Sequence, residues 1–126
     1  MKLNLVGCVQ GRLSRSPVNR LQYYPKKWSH EFKIANKLGL DYIEFFSERK
    51  FNPKNLIWSR KGIFDYKNEL KKNYLKSYTF CDDFIISNNI KYSNTQKYLK
   101  RLIKQIKYLN IKFLILPFYG KSNLTD

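Results

Sequence analysis

Strand-like stretches that alternate with helical ones predict an α/β fold of βα units on a parallel sheet. Three observations carry this reading. The strand-like stretches begin near residues 3, 41, 76 and 111, at intervals of 38, 35 and 35 residues. A segment of helical periodicity lies between each pair. The last strand is almost continuously apolar, as expected of a parallel strand covered on both faces. Such a repeat fits either an open doubly wound sheet or a (β/α)8 barrel. A barrel takes about 250 residues, whereas this chain has 126. The expectation is one partial domain over 1–126, about three βα units plus a fourth strand.

The first strand covers 3–10, LNLVGCVQ, and enters a polar loop to about residue 27 that carries Pro17 and Pro25. In 28–38, WSHEFKIANKL, the spacings of four and three place Trp28, Phe32, Ala35 and Leu38 on one helical stripe. Gly39 follows where a helix end favours a residue free to take positive φ. The segment 41–47, DYIEFFS, is rich in aromatic and β-branched types and reads as the second strand. Asn52-Pro53 breaks the chain before a second helix over 62–74, with Ile63, Tyr66, Leu70 and Tyr74 facing inward. The third strand is 76–86, KSYTFCDDFII. Ser93, Asn94 or Thr95 can cap a third helix over about 95–109 by accepting a bond from an otherwise unpaired backbone N–H. Leu99, Leu102, Ile103, Ile106 and Leu109 form its apolar stripe. The fourth strand is 111–118, IKFLILPF. Beyond it, Ser122-Asn123-Leu124-Thr125-Asp126 reads as the N-cap and first turn of another helix, as a truncated or split gene product would show.

Hydrophobic residues at 43% and aromatics at 17% favour an ordered chain with a real core. The net charge of +16 invites a nucleic-acid reading, since clustered Lys and Arg release counterions from phosphate. The distribution argues against it. Lysines are spread along the chain with no tract denser than pairs such as Lys26-Lys27 and Lys71-Lys72. Lys, Asn, Ile, Tyr and Phe together make up about half the residues and share AT-rich codons, which accounts for the charge more simply. The alternative is a basic surface that attracts phosphorylated or nucleic-acid partners by its summed field. Cys8 and Cys81 form no CxxC pattern, so neither a disulfide scaffold nor a zinc site is expected, and a reducing cytoplasm is the default. Leu5-Val6-Gly7-Cys8 imitates a lipoprotein box, but seven preceding residues are too few for a signal peptide. No apolar run approaches the roughly 18 residues needed to span a bilayer, so no membrane association is expected.

In either architecture, ligands bind at the carboxyl ends of parallel strands. Gln10 and Arg12 follow the first strand, Glu44 and Glu48 end the second, and Asp82 and Asp83 lie in the third. Pro117-Phe118 with Tyr119-Gly120-Lys121 close the fourth. Four of the nine acidic residues thus gather at one rim of a very basic chain. Gly11 lets backbone approach a ligand there, and Arg12 can grip an anion or form an ion bridge with Glu44 or an aspartate. Glu44, set among Tyr42, Ile43, Phe45 and Phe46, points to a cleft role because an unpaired buried carboxylate is costly. Strand alternation sends only one of Asp82 and Asp83 toward the cleft. His30, the only histidine, reads as an exposed helical residue that cannot build a metal site alone.

VQGRLS at 9–14, EFKIANKLGLDYIEF at 31–45, CDDF at 81–84 and YLNIKFLILPFYGKSNL at 108–124 resemble the sugar phosphate isomerase/epimerase family. That resemblance implies a xylose isomerase-like TIM barrel, also shared with endonuclease IV, of which this chain would be the amino-terminal half. It further implies a small sugar or sugar phosphate as substrate and proton transfer beside a sugar carbonyl. A divalent metal, manganese or a relative, is implied for the intact barrel, with Glu, Asp, His and Glu ligands on later strands, so no metal or catalytic residue is assigned to this chain. Gln10, Arg12, Glu44 and Asp83 match cleft-lining positions of the family's first half and are the substrate-binding candidates. The chain alone is expected to be inactive, and its partners a second copy or a separate second half, since free first and fourth strands favour pairing with another chain. Two alternatives stand beside this reading. One is a basic nucleic-acid-binding or endonuclease IV-like module, weakened by the single histidine. The other is a non-catalytic sugar-binding or assembly subunit.

Overall fold

The computed structural model describes residues 4–16 and 23–125. Leu3, Pro17 and Asp126, on which parts of the expected first strand, loop and final helical turn fall, lie outside them. Four strands, β1 (Gly7–Val9), β2 (Tyr42–Ser47), β3 (Thr79–Asp82) and β4 (Phe113–Ile115), form a sheet in the order β1-β2-β3-β4. All three pairings are parallel. Helices α1 (Trp28–Lys37), α2 (Arg60–Lys72), the short α3 (Phe84–Ser87) and α4 (Ser93–Tyr108) lie between them in sequence. Single-turn 3₁₀ segments occupy Leu56–Trp58 and Gly120–Ser122. The α/β class and the parallel βα repeat are those the spacing predicts. No helix among the described residues is long and apolar enough to cross a membrane.

The three long helices cover one face of the sheet. Phe32 and Ala35 of α1, Ile63, Tyr66 and Leu70 of α2, and Leu99, Leu102 and Ile106 of α4 share a single cluster with Ile43 and Phe45 of β2 and Phe80 of β3. Side chains alternate along a strand, so this cluster uses every second residue. The Tyr66 ring packs against Trp28 at 5.0 Å, edge to face, and against Phe45 at 4.7 Å. Full burial of each such ring stabilises the fold by roughly 2–3 kcal/mol. The opposite face carries Tyr42, Glu44, Phe46 and Cys81, then Phe113 and Ile115 on β4, which stay 56% and 42% exposed. Tyr78 lays a partial cover on that face, its ring 4.9 Å from Tyr42 and 5.4 Å from Phe113.

Several local expectations are corrected. The third strand does not run through 86: the chain turns at Asp83, whose N–H donates to the Ser47 carbonyl, and 84–87 coil into α3. The apolar Phe84, Ile85 and Ile86 suggest a longer strand, but β2, the partner strand, ends at Ser47. The fourth strand is only three residues long and is not covered on both faces. Leu38, at the end of α1, is 63% exposed, and Tyr74, past the end of α2 with φ of 56°, is exposed as well. Both belong to helix ends, where the periodicity of the preceding turns no longer sets direction. Ile103 is also exposed at the margin of the α4 stripe. The N-cap of α4 is Tyr92, without a side-chain cap; Gln96 instead reaches back to the carbonyls of Ile90 and Lys91. Gly39, with φ of 73°, ends α1 as expected.

Candidate functional site

A cavity of about 860 Å³ opens at the carboxyl ends of the strands. Each strand delivers to it through the loop that follows. Arg12 comes after β1, Glu48 to Asn52 after β2, Asp83 and Ser87 after β3, and Tyr119 after β4, with Phe46 at its base.

The first loop is held by a buried carboxylate. Glu31, fully buried on α1, accepts from the Gly11 N–H at 2.8 Å, the Leu13 N–H at 3.2 Å and the Ser14 hydroxyl at 2.7 Å. Arg12 lies between two of these anchors, and its own N–H donates to the Val9 carbonyl at 3.1 Å. Gly11 does not open the backbone to a ligand, as the sequence suggests. Its φ is 91°, and the Tyr23 carbonyl packs where a Cβ would stand. The glycine is therefore explained by loop packing.

In the second loop the Asn52 side chain donates to Glu48 Oε1 at 2.8 Å, while its oxygen accepts from the Lys54 N–H. Asn55, buried, donates to the Phe46 carbonyl and accepts from Ile57 N–H, which fixes the exit from β2. The third loop is tied to the second by Asn88, whose amide donates to the Arg49 carbonyl at 3.3 Å. Asp83 is nearly buried, and the Cys81 thiol donates to its Oδ1 at 3.6 Å. Burial raises the Asp83 carboxyl above its usual range, against the pull of the Cys81 hydrogen bond and the Arg49 charge. The fourth loop is pinned by Ser122: its hydroxyl donates toward the carbonyls of Ile85 and Asn88 and accepts from the Ile90 N–H.

Of the four candidates, Arg12 and Asp83 meet in this cavity. Gln10 and Glu44 do not line it. Gln10 is buried toward the helices, donating to the Tyr66 hydroxyl at 3.3 Å, and its Oε1 has no partner among the described residues. Glu44 is half-buried on the uncovered face of the sheet, deeper along β2 than the cavity. Of the two roles open to Arg12, the ion bridge does not form: among the described residues Arg12 makes no ion pair with Glu44, Asp82 or Asp83. Asp82 points the other way, into the helical layer, as alternation requires. Its Oδ1 accepts from Ser47 Oγ and from the Tyr98 hydroxyl, while Oδ2 is buried without a close hydrogen bond among the described residues. Desolvation raises the Asp82 carboxyl, opposed by those hydroxyls and by the backbone N–H groups of Phe84 and Ile85. His30 is exposed on α1, as expected.

The sequence does not single out Glu31, Arg49 or Lys50, and Asn52 stands out there only as part of the Asn52-Pro53 break. Arg49 and Lys50 could have been found, because they directly follow the strand-ending Glu48. Glu31 gives no signal of its own, since a glutamate in the first turn of a helix is usually a solvated dipole partner.

Three cations, Arg12, Arg49 and Lys50, and two carboxylates, Glu48 and Asp83, thus surround the cavity beside the aromatic rings of Phe46, Phe51 and Tyr119. Such a lining suits a small anion with hydroxyl groups: guanidinium and ammonium take the anionic end, and carboxylates and Asn52 take hydroxyls. Among the described residues no three His, Cys, Asp or Glu side chains gather to hold a metal ion. No family model matches this sequence, and no curated protein is significantly similar to it.

Proposed function

We propose that this chain supplies the amino-terminal half of a TIM-barrel sugar or sugar phosphate isomerase/epimerase, and that its cavity receives the phosphate-bearing or polyhydroxylated substrate. The observation that carries the proposal is the convergence of all four post-strand loops on one cavity with Arg12, Arg49, Lys50, Glu48, Asn52 and Asp83 at its wall. Arg12, set between backbone groups fixed by Glu31, and Arg49 hold the anionic group. Asn52 and Glu48 bind hydroxyls as a pair. Asp83 orients the remaining hydroxyl against the apolar floor of Phe46.

In the intact barrel a divalent metal would polarise the sugar carbonyl beside a positioned carboxylate. This chain's part in that reading is binding and orientation of the substrate. Four further βα units, on the same chain or another, would pair with the free edges of β1 and β4 and cover Phe113 and Ile115. These exposed apolar residues also support a second reading, a non-catalytic sugar-binding or assembly subunit that joins a separate half.

Calorimetric titration with four- to six-carbon aldose and ketose phosphates, the corresponding free sugars and inorganic phosphate tests the proposal. Binding of the phosphates, reduced at least about tenfold in Arg12→Ala and Arg49→Ala, is expected. The absence of binding by every sugar at millimolar concentration would overturn the cavity's assignment.

A further inference from the structure

The strongest feature outside the cavity is the outer face of α4. From Phe84 to Thr125 the chain has seven lysines and one arginine and not a single acidic residue. Four of those lysines, Lys97, Lys100, Lys104 and Lys107, are exposed on α4 at spacings of three, four and three. At about 100° per residue they fall within an arc of about 80°, opposite the buried Leu99, Leu102 and Ile106. They form a straight ridge about 15 Å long. None of the four has an ion-pair partner among the described residues. Arg101 flanks the ridge, its guanidinium held 4.9 Å from the Trp58 ring.

Like charges three and four residues apart disfavour a helix, and α4 has no carboxylate to relieve them. A linear polyanion laid along the ridge would. We propose that this face of α4 binds double-stranded nucleic acid through its phosphates, without reading bases. One exposed ring, Tyr108, flanks the ridge beside Lys104 and Lys107; a single ring cannot stack successive unpaired bases, which favours a duplex over a single strand. The apolar side of α4 is committed to the core, so the helix cannot insert that side into a lipid surface as an amphipathic membrane helix does. The lysines that look evenly spread along the sequence are aligned here by the helical period.

Fluorescence anisotropy of the full chain with a random-sequence 20-base-pair duplex, from 50 to 250 mM KCl, tests this. Four neutralised phosphates give a slope of log affinity against log salt of about −3.6, a loss of roughly 100-fold between 50 and 200 mM. The variant K97Q/K100Q/K104Q/K107Q is expected to lose most of that slope and at least about 30-fold in affinity at 100 mM KCl. The variant K33Q/K37Q/K67Q/K71Q removes the same charge from the exposed faces of α1 and α2 and is expected to keep both. Circular dichroism melts confirm that both variants are folded. Equal losses in the two variants would overturn the ridge in favour of net charge alone. A salt-independent affinity, or binding to phosphatidylserine vesicles without binding to the duplex, would overturn it too.

Discussion

Glu31→Gln isolates what holds Arg12 at the cavity mouth. The wild-type carboxylate accepts three bonds, from two backbone N–H groups and one hydroxyl, in a fully buried setting. Bonds to a charged group contribute about 1.5–3 kcal/mol each, and a buried donor left unpaired costs about 1–3 kcal/mol. The amide keeps one accepting oxygen but turns an NH2 group toward a remaining donor, so one of Gly11 N–H and Leu13 N–H loses its partner. The net expectation is a destabilisation of about 2–3 kcal/mol, while Glu31→Ala, which frees both donors, should cost about 4 kcal/mol. For a chain of this size with a urea m value of about 2 kcal/mol/M, Glu31→Gln lowers the midpoint by about 1 M. Amide exchange should accelerate at whichever of Gly11 and Leu13 loses its partner. A midpoint unchanged within about 0.2 M, with both amides as protected as before, would refute the idea that Glu31 fixes the loop.

Further expectations concern Asp82, Cys81 and two glycines. Asp82, raised by burial, binds its proton more tightly in the folded than in the unfolded chain, so its contribution to stability is present below the unfolded pKa and falls as pH rises through the folded one. Asp82→Asn keeps an oxygen for Ser47 and Tyr98; the stability of wild type relative to this variant should therefore decline as pH is raised from about 4, read from urea midpoints at successive pH values, and a constant difference would count against the burial account. The Cys81 thiol, pushed up to about 12 by burial and by the carboxylates of Asp83 and Glu44, should resist iodoacetamide at pH 8 until the chain unfolds; mass spectrometry showing rapid native-state labelling at Cys81 would contradict it. Gly62 packs in the first turn of α2 against the Leu56 backbone, where a Cβ would collide, so Gly62→Ala should cost about 2–3 kcal/mol in a thermal melt. Gly39→Ala meets no neighbouring atom and should cost about 1 kcal/mol through its positive φ alone; the reverse ranking would disprove the steric reading.

The βα alternation was legible because burial on a parallel sheet imposes its own periods: the stripes at Phe32 and Ala35, at Ile63, Tyr66 and Leu70, and at Leu99, Leu102 and Ile106 all face the core. Errors collected where periodicity ends. Leu38 and Tyr74 sit past the last full turn, and Ile85 and Ile86 lie where strand and short helix are equally apolar. Arg12 and Asp83 line the cavity, where their place after strands suggests they would be. Gln10 and Glu44 carried the same positional signal but lie on other surfaces, because a side chain's direction depends on register. Glu31 was invisible for a different reason: its role is set by a loop twenty residues earlier in the chain, and one sequence does not reveal such a long-range bond.

The sheet order β1-β2-β3-β4 also has a kinetic consequence. Each strand after the first pairs with the strand made just before it, across a crossover of about 30 residues, so no pairing has to wait for a distant part of the chain. Loop closure over that length adds little entropy beyond that of a shorter connection, and the sheet can lengthen at one edge as synthesis proceeds. Each emerging βα unit finds a docking edge already formed, and the order of assembly is written in the order of translation.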